Sequence, residues 1–116
     1  MIQSYRDLVV WQRAMELVEE IYHIARKLPT EERYALSDQM RRAAVSIPSN
    51  IAEGYARLAP KDYSRFLVIA RGSAFELQTQ LEICVRLGYM CDEDIKKANR
   101  LCEEVSKMLH AILAKL

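Results

Sequence analysis

The chain has 116 residues, of which 51% are hydrophobic and 28% charged, and its formal net charge is +1. That is the length of one domain and the composition of a folded globular chain, which excludes a disordered polyelectrolyte or a strongly basic tail as the whole protein. Three glycines and three prolines are too few for the many turns of a β-sandwich or barrel, so helices are expected throughout.

Ser4 or Asp7 can cap a first helix. From Val10 to Leu28 two apolar seams run side by side. One is Trp11, Met15, Val18, Tyr22 and Ala25; the other is Val10, Ala14, Leu17, Ile21, Ile24 and Leu28. Both advance by threes and fours, the period of packed helices. Together they cover more than half of the helix, wider than one core face needs, which predicts packing both inward and against a neighbouring subunit. Val10, Trp11, Ala14, Leu17 and Ile21 are the expected oligomer-interface residues. Pro29 and Thr30 end this helix. A second lies between Glu31 and Arg57, with Leu36, Met40, Ala43, Ala44, Ile47 and Ile51 on its apolar side. Ala43, Ala44, Ser46, Ser49, Ala52 and Gly54 are small enough for close helix approach. Pro48 lacks a backbone donor and predicts a kink or break between Ser46 and Asn50.

Pro60 suits the first turn of a third helix, whose seam is Tyr63, Phe66, Leu67, Ala70, Ala74, Leu77, Leu81 and Cys84. Gly88 is placed for a left-handed stop after Leu87. Asp92 is the expected cap of a fourth helix with the heptad seam Ile95, Ala98, Cys102, Val105, Leu109, Ile112 and Leu116. The sequence thus predicts an all-α, antiparallel up-down-up-down four-helix bundle in one domain over residues 1–116, with a kinked second helix.

Catalytic chemistry is hard to find. His23 and His110 are the only histidines, and neither has a partner at metal-ligand spacing; the Glu-x-x-His pairs of di-iron bundles are missing. No Gly-rich phosphate loop occurs. Ser46 and Ser49 have no adjacent base, so packing around Pro48 explains them better than nucleophilic chemistry. No metal, cofactor or catalytic residue is expected. Cys84, Cys91 and Cys102 match no zinc or redox spacing, and their odd number without a signal peptide predicts reduced thiols in a cytoplasm. No apolar run reaches the roughly 20 residues of a membrane span.

Charge is unevenly spread. From Arg33 to Arg71 seven basic residues face only three acidic ones, so that stretch is +4 and the rest of the chain −3. The fourth helix pairs its charges locally at i,i+4: Asp92 with Lys96, Glu93 with Lys97, Arg100 with Glu104, Glu103 with Lys107. In the middle stretch Asp38 can pair with Arg42 and Glu53 with Arg57, while Lys61 and Arg71 have no acidic residue three or four positions away and Arg41 has only Asp38, shared with Arg42. Two readings compete. Arg41 or Arg71 could pair with a carboxylate of another helix, such as Glu53 or Glu76. Alternatively Arg41, Arg42, Arg57, Lys61, Arg65 and Arg71 form a basic surface for phosphate backbones.

Some of these residues carry a resemblance. Asp7-Leu8-Val9-Val10-Trp11-Gln12 and the long run Arg41-Arg42-Ala43-Ala44-Val45-Ser46-Ile47-Pro48-Ser49-Asn50-Ile51-Ala52-Glu53-Gly54 resemble the four-helix-bundle proteins of the 23S ribosomal RNA intervening-sequence family. The likeness resumes at Arg65-Phe66-Leu67 and Ile69-Ala70-Arg71-Gly72-Ser73. It implies a homopentamer of four-helix protomers. The accessory variability proteins of diversity-generating retroelements look similar in fold; through them the resemblance implies RNA or DNA binding and a protein partner such as a reverse transcriptase. It also sets Ala59 where a small polar cap is usual, with a consequence for stability alone.

Overall fold

The computed structural model describes residues 1–116. Four helices carry the fold: α1 (Val9–Ala25), α2 (Leu36–Tyr55), α3 (Pro60–Arg86) and α4 (Asp92–Ala114), with short 3-10 turns at Tyr5–Asp7 and Thr30–Glu32 and no strand. At 1.5 Å per residue α3 is about 40 Å long; the molecule measures 44 × 24 × 20 Å, so the helices lie along its long axis. α2 packs on α1 and α3, and α4 on α3 and α1, with no packing across the diagonals. This is the square, up-down-up-down bundle that the four apolar seams predict.

A single core of 23 buried apolar residues runs down the axis. Leu17, Ile21, Ile47, Ile51, Leu67, Leu77, Leu81 and Leu109 are among its fully buried side chains. This corrects one expectation about α1. Val10, Ala14, Leu17 and Ile21 were expected at a subunit interface, but they are 0–3% exposed within the single chain and pack on its own core. A seam one residue over is turned about 100° around the helix, so Trp11, Met15, Val18 and Tyr22 face sideways and keep accessible surface. Of the five expected interface residues only Trp11 remains at the surface, half-buried beneath Arg6 and edge-on to Tyr5 at 5.2 Å.

The helix ends show which local signals were used. Ser4 and Asp7 do cap, but they cap the 3-10 turn: Arg6 N–H donates to Ser4 Oγ at 3.1 Å and Gln3 N–H to Asp7 Oδ2 at 2.8 Å. α1 starts after this turn, at Val9, with no side-chain cap. Asp92 is the first residue of α4 rather than its cap. The cap is Cys91, whose N–H donates to Asp94 Oδ2 at 2.9 Å. Those bonds to Cys91, the backbone one first, hold the Asp94 carboxyl below the ordinary aspartate range. Gly88 adopts φ +78°, and Gly88 N–H to Val85 O and Tyr89 N–H to Cys84 O, both 3.0 Å, close the left-handed stop of α3. Beyond it, Tyr89 O–H donates to Glu32 Oε2 at 2.6 Å and ties the two connections at that end of the bundle together. This bond to a carboxylate pushes the phenol up to about 12.

Of the kink or break expected at Pro48, the break does not occur: α2 is helical from Leu36 to Tyr55. Pro48 leaves the Ala44 carbonyl without its usual donor, and a polar trio braces the adjoining turn. Asn50 Nδ2 donates to Ser46 O (2.7 Å) and Ser46 Oγ (3.0 Å), and Ser46 Oγ meets Ser73 Oγ of α3 at 2.9 Å. Near the end of α2, Gly54 allows the approach its size suggested: a Cβ there would lie 2.8 Å from Phe66 Cβ and 3.0 Å from Tyr63 Cδ1.

Candidate nucleic-acid interface

The six expected phosphate-binding residues fall into three groups. Arg57 lies just past α2, and Lys61 and Arg65 occupy the first two turns of α3; all three are exposed at one end of the bundle. Arg41 and Arg42 sit in the first half of α2. Arg41 and Arg57 are sixteen positions apart, about 24 Å along a helix, so they belong to opposite ends. Arg71 lies mid-length on α3, in a groove against α4 of about 450 Å³ that is also lined by Phe75, Gln78, Glu103, Ser106, Lys107 and His110. The +4 stretch of sequence is therefore not one patch on a protomer.

Five of these six charges are nonetheless without an ion-pair partner. Four ion pairs form: Arg13 with Glu16 (2.8 Å) and Glu104 (3.2 Å), Arg42 with Asp38 (3.2 Å), and Arg86 with Glu82 (3.0 Å). Arg41, Arg57, Lys61, Arg65 and Arg71 have no carboxylate within 4.0 Å, and neither Glu53 nor Glu76 holds an arginine. Arg57 instead lies over the Phe66 ring at 4.8 Å, Arg71 over Phe75 at 5.5 Å and Arg41 over Tyr22 at 5.9 Å. Such contacts leave guanidinium edges free to donate, though Arg41 Nη2 already donates to Arg33 O at 3.4 Å. Arg71 Nε and Ser106 Oγ are buried in the groove without a hydrogen-bond partner. The local pairs expected along α4 do not close; Glu104 crosses to Arg13 of α1 instead.

Sequence reasoning missed Arg26, and it counted Arg33 without carrying it forward. Both meet Arg41 around one cavity, because the α1–α2 hairpin folds the end of α1 onto the start of α2. The signal was the hairpin: antiparallel neighbours bring positions on either side of a connection together. Tyr55, Tyr63 and Phe66, the aromatic side chains beside Arg57 and Lys61, are engaged with the protein rather than free to stack on bases. Tyr55 and Tyr63 are edge-on at 6.3 Å, and Phe66 lies beneath Arg57.

No metal-binding cluster assembles. No group of three or more histidine, cysteine or acidic side chains converges. The three cysteines are free. Burial pushes the Cys102 thiol up to about 12 and raises Cys84, so neither is a ready nucleophile. No helix is long and apolar enough to cross a membrane.

Among the exposed apolar side chains, two groups lie on the helix faces. A groove of about 350 Å³ between α1 and α2 is lined by Tyr5, Trp11, Met15, Val18, Val45 and Pro48, among others. On α3, Val68 and Phe75 are each about half exposed one heptad apart.

Among curated proteins none matches the chain. A solved structure from Bacteroides thetaiotaomicron, described as a protein with unknown function from the S23 ribosomal protein family, is similar to it with a TM-score of 0.83 and 28% identity, covering 90% of this chain and 97% of that one. The profile of the 23S rRNA-intervening sequence protein family matches residues 6–111. With the four-helix architecture and nearly the whole length in register, the chain belongs to the 23S rRNA-intervening sequence protein family.

Proposed function

We propose that this protein is a non-catalytic, cytoplasmic homopentamer that binds nucleic acid, or a nucleoprotein partner, through repeated groups of basic side chains. The observation that carries the reading is the absence of ion-pair partners for Arg41, Arg57, Lys61, Arg65 and Arg71. Of the two half-buried ones, Arg71 holds no carboxylate and leaves its Nε without a partner, and Arg41 donates only to the Arg33 carbonyl at 3.4 Å. Arg42 joins them, since its exposed pair with Asp38 opens at little cost. Contacts of this kind go to phosphates and read little sequence.

Assembly supplies what one protomer lacks. A ring of more than two copies needs two different, mutually complementary surfaces. The α1–α2 groove around Trp11 and the Val68–Phe75 stripe of α3 are suited to those roles. Repetition around a ring would turn scattered groups into belts of charge.

The test is binding to labelled single-stranded RNA and duplex DNA across a salt series, with native mass measured in parallel. Three phosphate contacts from Arg57, Lys61 and Arg65 alone give a log–log slope of about −2.7 on duplex and about −2.1 on single strands. Lys61→Glu with Arg65→Glu should abolish binding and leave the helical signal intact. A monodisperse 13.5 kDa species would sink the pentamer. No binding at low salt would leave a protein-interaction scaffold as the better reading, with the apolar groove as its contact.

A further inference from the structure

At the α1–α2 corner Arg26, Arg33 and Arg41 surround a cavity of about 300 Å³, with Thr30 and Ser37 adding hydroxyl groups and Ala25, Leu28 and Pro29 its remaining walls. It is more enclosed than the grooves on the helix faces. No acidic side chain lines it, and none of the three arginines has a carboxylate within 4.0 Å. The nearby Glu32 is already engaged, accepting from Tyr89 O–H at 2.6 Å and from Leu36 N–H at 3.3 Å. The carbonyl end of α1 opens on this corner, but a helix terminus amounts to only about half a negative charge. Three arginine side chains therefore outnumber the one neighbouring carboxylate, Glu32, and the partial charge of the helix terminus, so the corner is net positive. Like charges gathered this way repel, and a bound anion would remove the penalty.

We infer that this cavity is a binding site for a phosphate monoester. Such a group carries a charge of about −1.5 to −2 at neutral pH and three strong acceptor oxygens. Arg41 Nη2 donates to Arg33 O at 3.4 Å, and the remaining guanidinium donors of Arg26, Arg33 and Arg41 answer both the charge and the number of oxygens. An internal phosphodiester has a single charge, two free oxygens and chain continuing on both sides; a half-closed cavity suits it poorly. The monoester could be a free small phosphate or the 5′ end of a strand. In the second case the inference deepens the nucleic-acid reading and rests on it.

The experiment compares one single-stranded RNA with a 5′-phosphate and with a 5′-hydroxyl, and separately follows the melting temperature in inorganic phosphate against chloride at equal ionic strength. Arg26→Gln and Arg33→Gln serve as variants because both side chains are exposed and neither belongs to the phosphate-backbone set; circular dichroism checks their fold. Preference for the 5′-phosphate strand by about tenfold or more, falling roughly tenfold with each arginine removed, supports the site and assigns it to strand ends. Stabilisation by inorganic phosphate that disappears in the variants, with no preference between strands, supports the site and assigns it to a small phosphate, whether or not RNA binds elsewhere. Equal affinity for both strands, no effect of phosphate and variants identical to the parent overturn the inference while leaving the nucleic-acid reading intact.

Discussion

Gly54 and Gly72 should respond oppositely to the same substitution. In a helix interior alanine is favoured over glycine by about 0.8–1.0 kcal/mol, so propensity alone stabilises both Gly54→Ala and Gly72→Ala. At Gly72 the new methyl meets nothing within 4 Å, and the gain is kept. At Gly54 it would lie 2.8 Å from Phe66 Cβ and 3.0 Å from Tyr63 Cδ1. Phe66 Cβ is fixed to the α3 backbone and cannot swing away, so α3 must shift. Overpacking of this kind costs about 1–3 kcal/mol, which outweighs the propensity gain over most of that range. Unfolding entropy of about 2.1 cal/mol/K per residue converts 1 kcal/mol to about 4 °C for a chain of this size. Gly72→Ala should therefore melt about 4 °C higher, and Gly54→Ala up to about 8 °C lower, followed by circular dichroism. A Gly54→Ala protein melting above the parent would refute the close α2–α3 contact. A concentration-dependent loss at Gly72 would show that a second copy covers that face.

Ala59 precedes Pro60 in extended backbone with no side-chain cap bond, so Ala59→Ser should stabilise the protein by about 1 kcal/mol, seen as a rise in melting temperature. A neutral thiol reagent should modify one cysteine, the exposed Cys91, in the native protein and all three after denaturation, because Cys84 and Cys102 are buried with raised thiols; fast modification of three would contradict the core. The Asp94 carboxyl is held below its ordinary value by Cys91, so its stabilising effect is present above the unfolded pKa of about 3.9 and is lost as pH falls through the lower folded value. Asp94→Asn should accordingly lower the melting temperature at pH 7 and match the parent in strong acid; a constant difference at every pH would reject the linkage.

The four helices were legible because each carries at least one continuous seam at helical period, and most of the seam residues of α2, α3 and α4 form the core, with Phe66 and Leu116 outside it. α1 was misread for a physical reason. Two adjacent seams look alike in sequence, and the 100° between them decides which faces inward only when the other helices are in place. The basic stretch misled in a similar way. Neighbours in sequence such as Arg41 and Arg57 are held a helix apart, whereas Arg26 and Arg41, distant in sequence, line one cavity. The Tyr89–Glu32 bond spans 57 positions and leaves no local trace at all. Pro48 signalled a disruption that Asn50, Ser46 and Ser73 absorb, and a side-chain brace of that kind is written in three separate places.

Because helices pack only on their neighbours around the square, the α1–α2, α2–α3 and α3–α4 seams are all made by segments adjacent in the chain. The α1–α4 seam alone joins segments from opposite ends of the sequence, with Arg13 and Glu104 at 3.2 Å across it. Its closure carries the largest loop-entropy cost in the molecule. The order of assembly is then set by topology: hairpins form early from local contacts, and the docking of α1 on α4 completes the barrel of side chains last. In hydrogen exchange this seam would open first among the four, making it the hinge along which the bundle breathes.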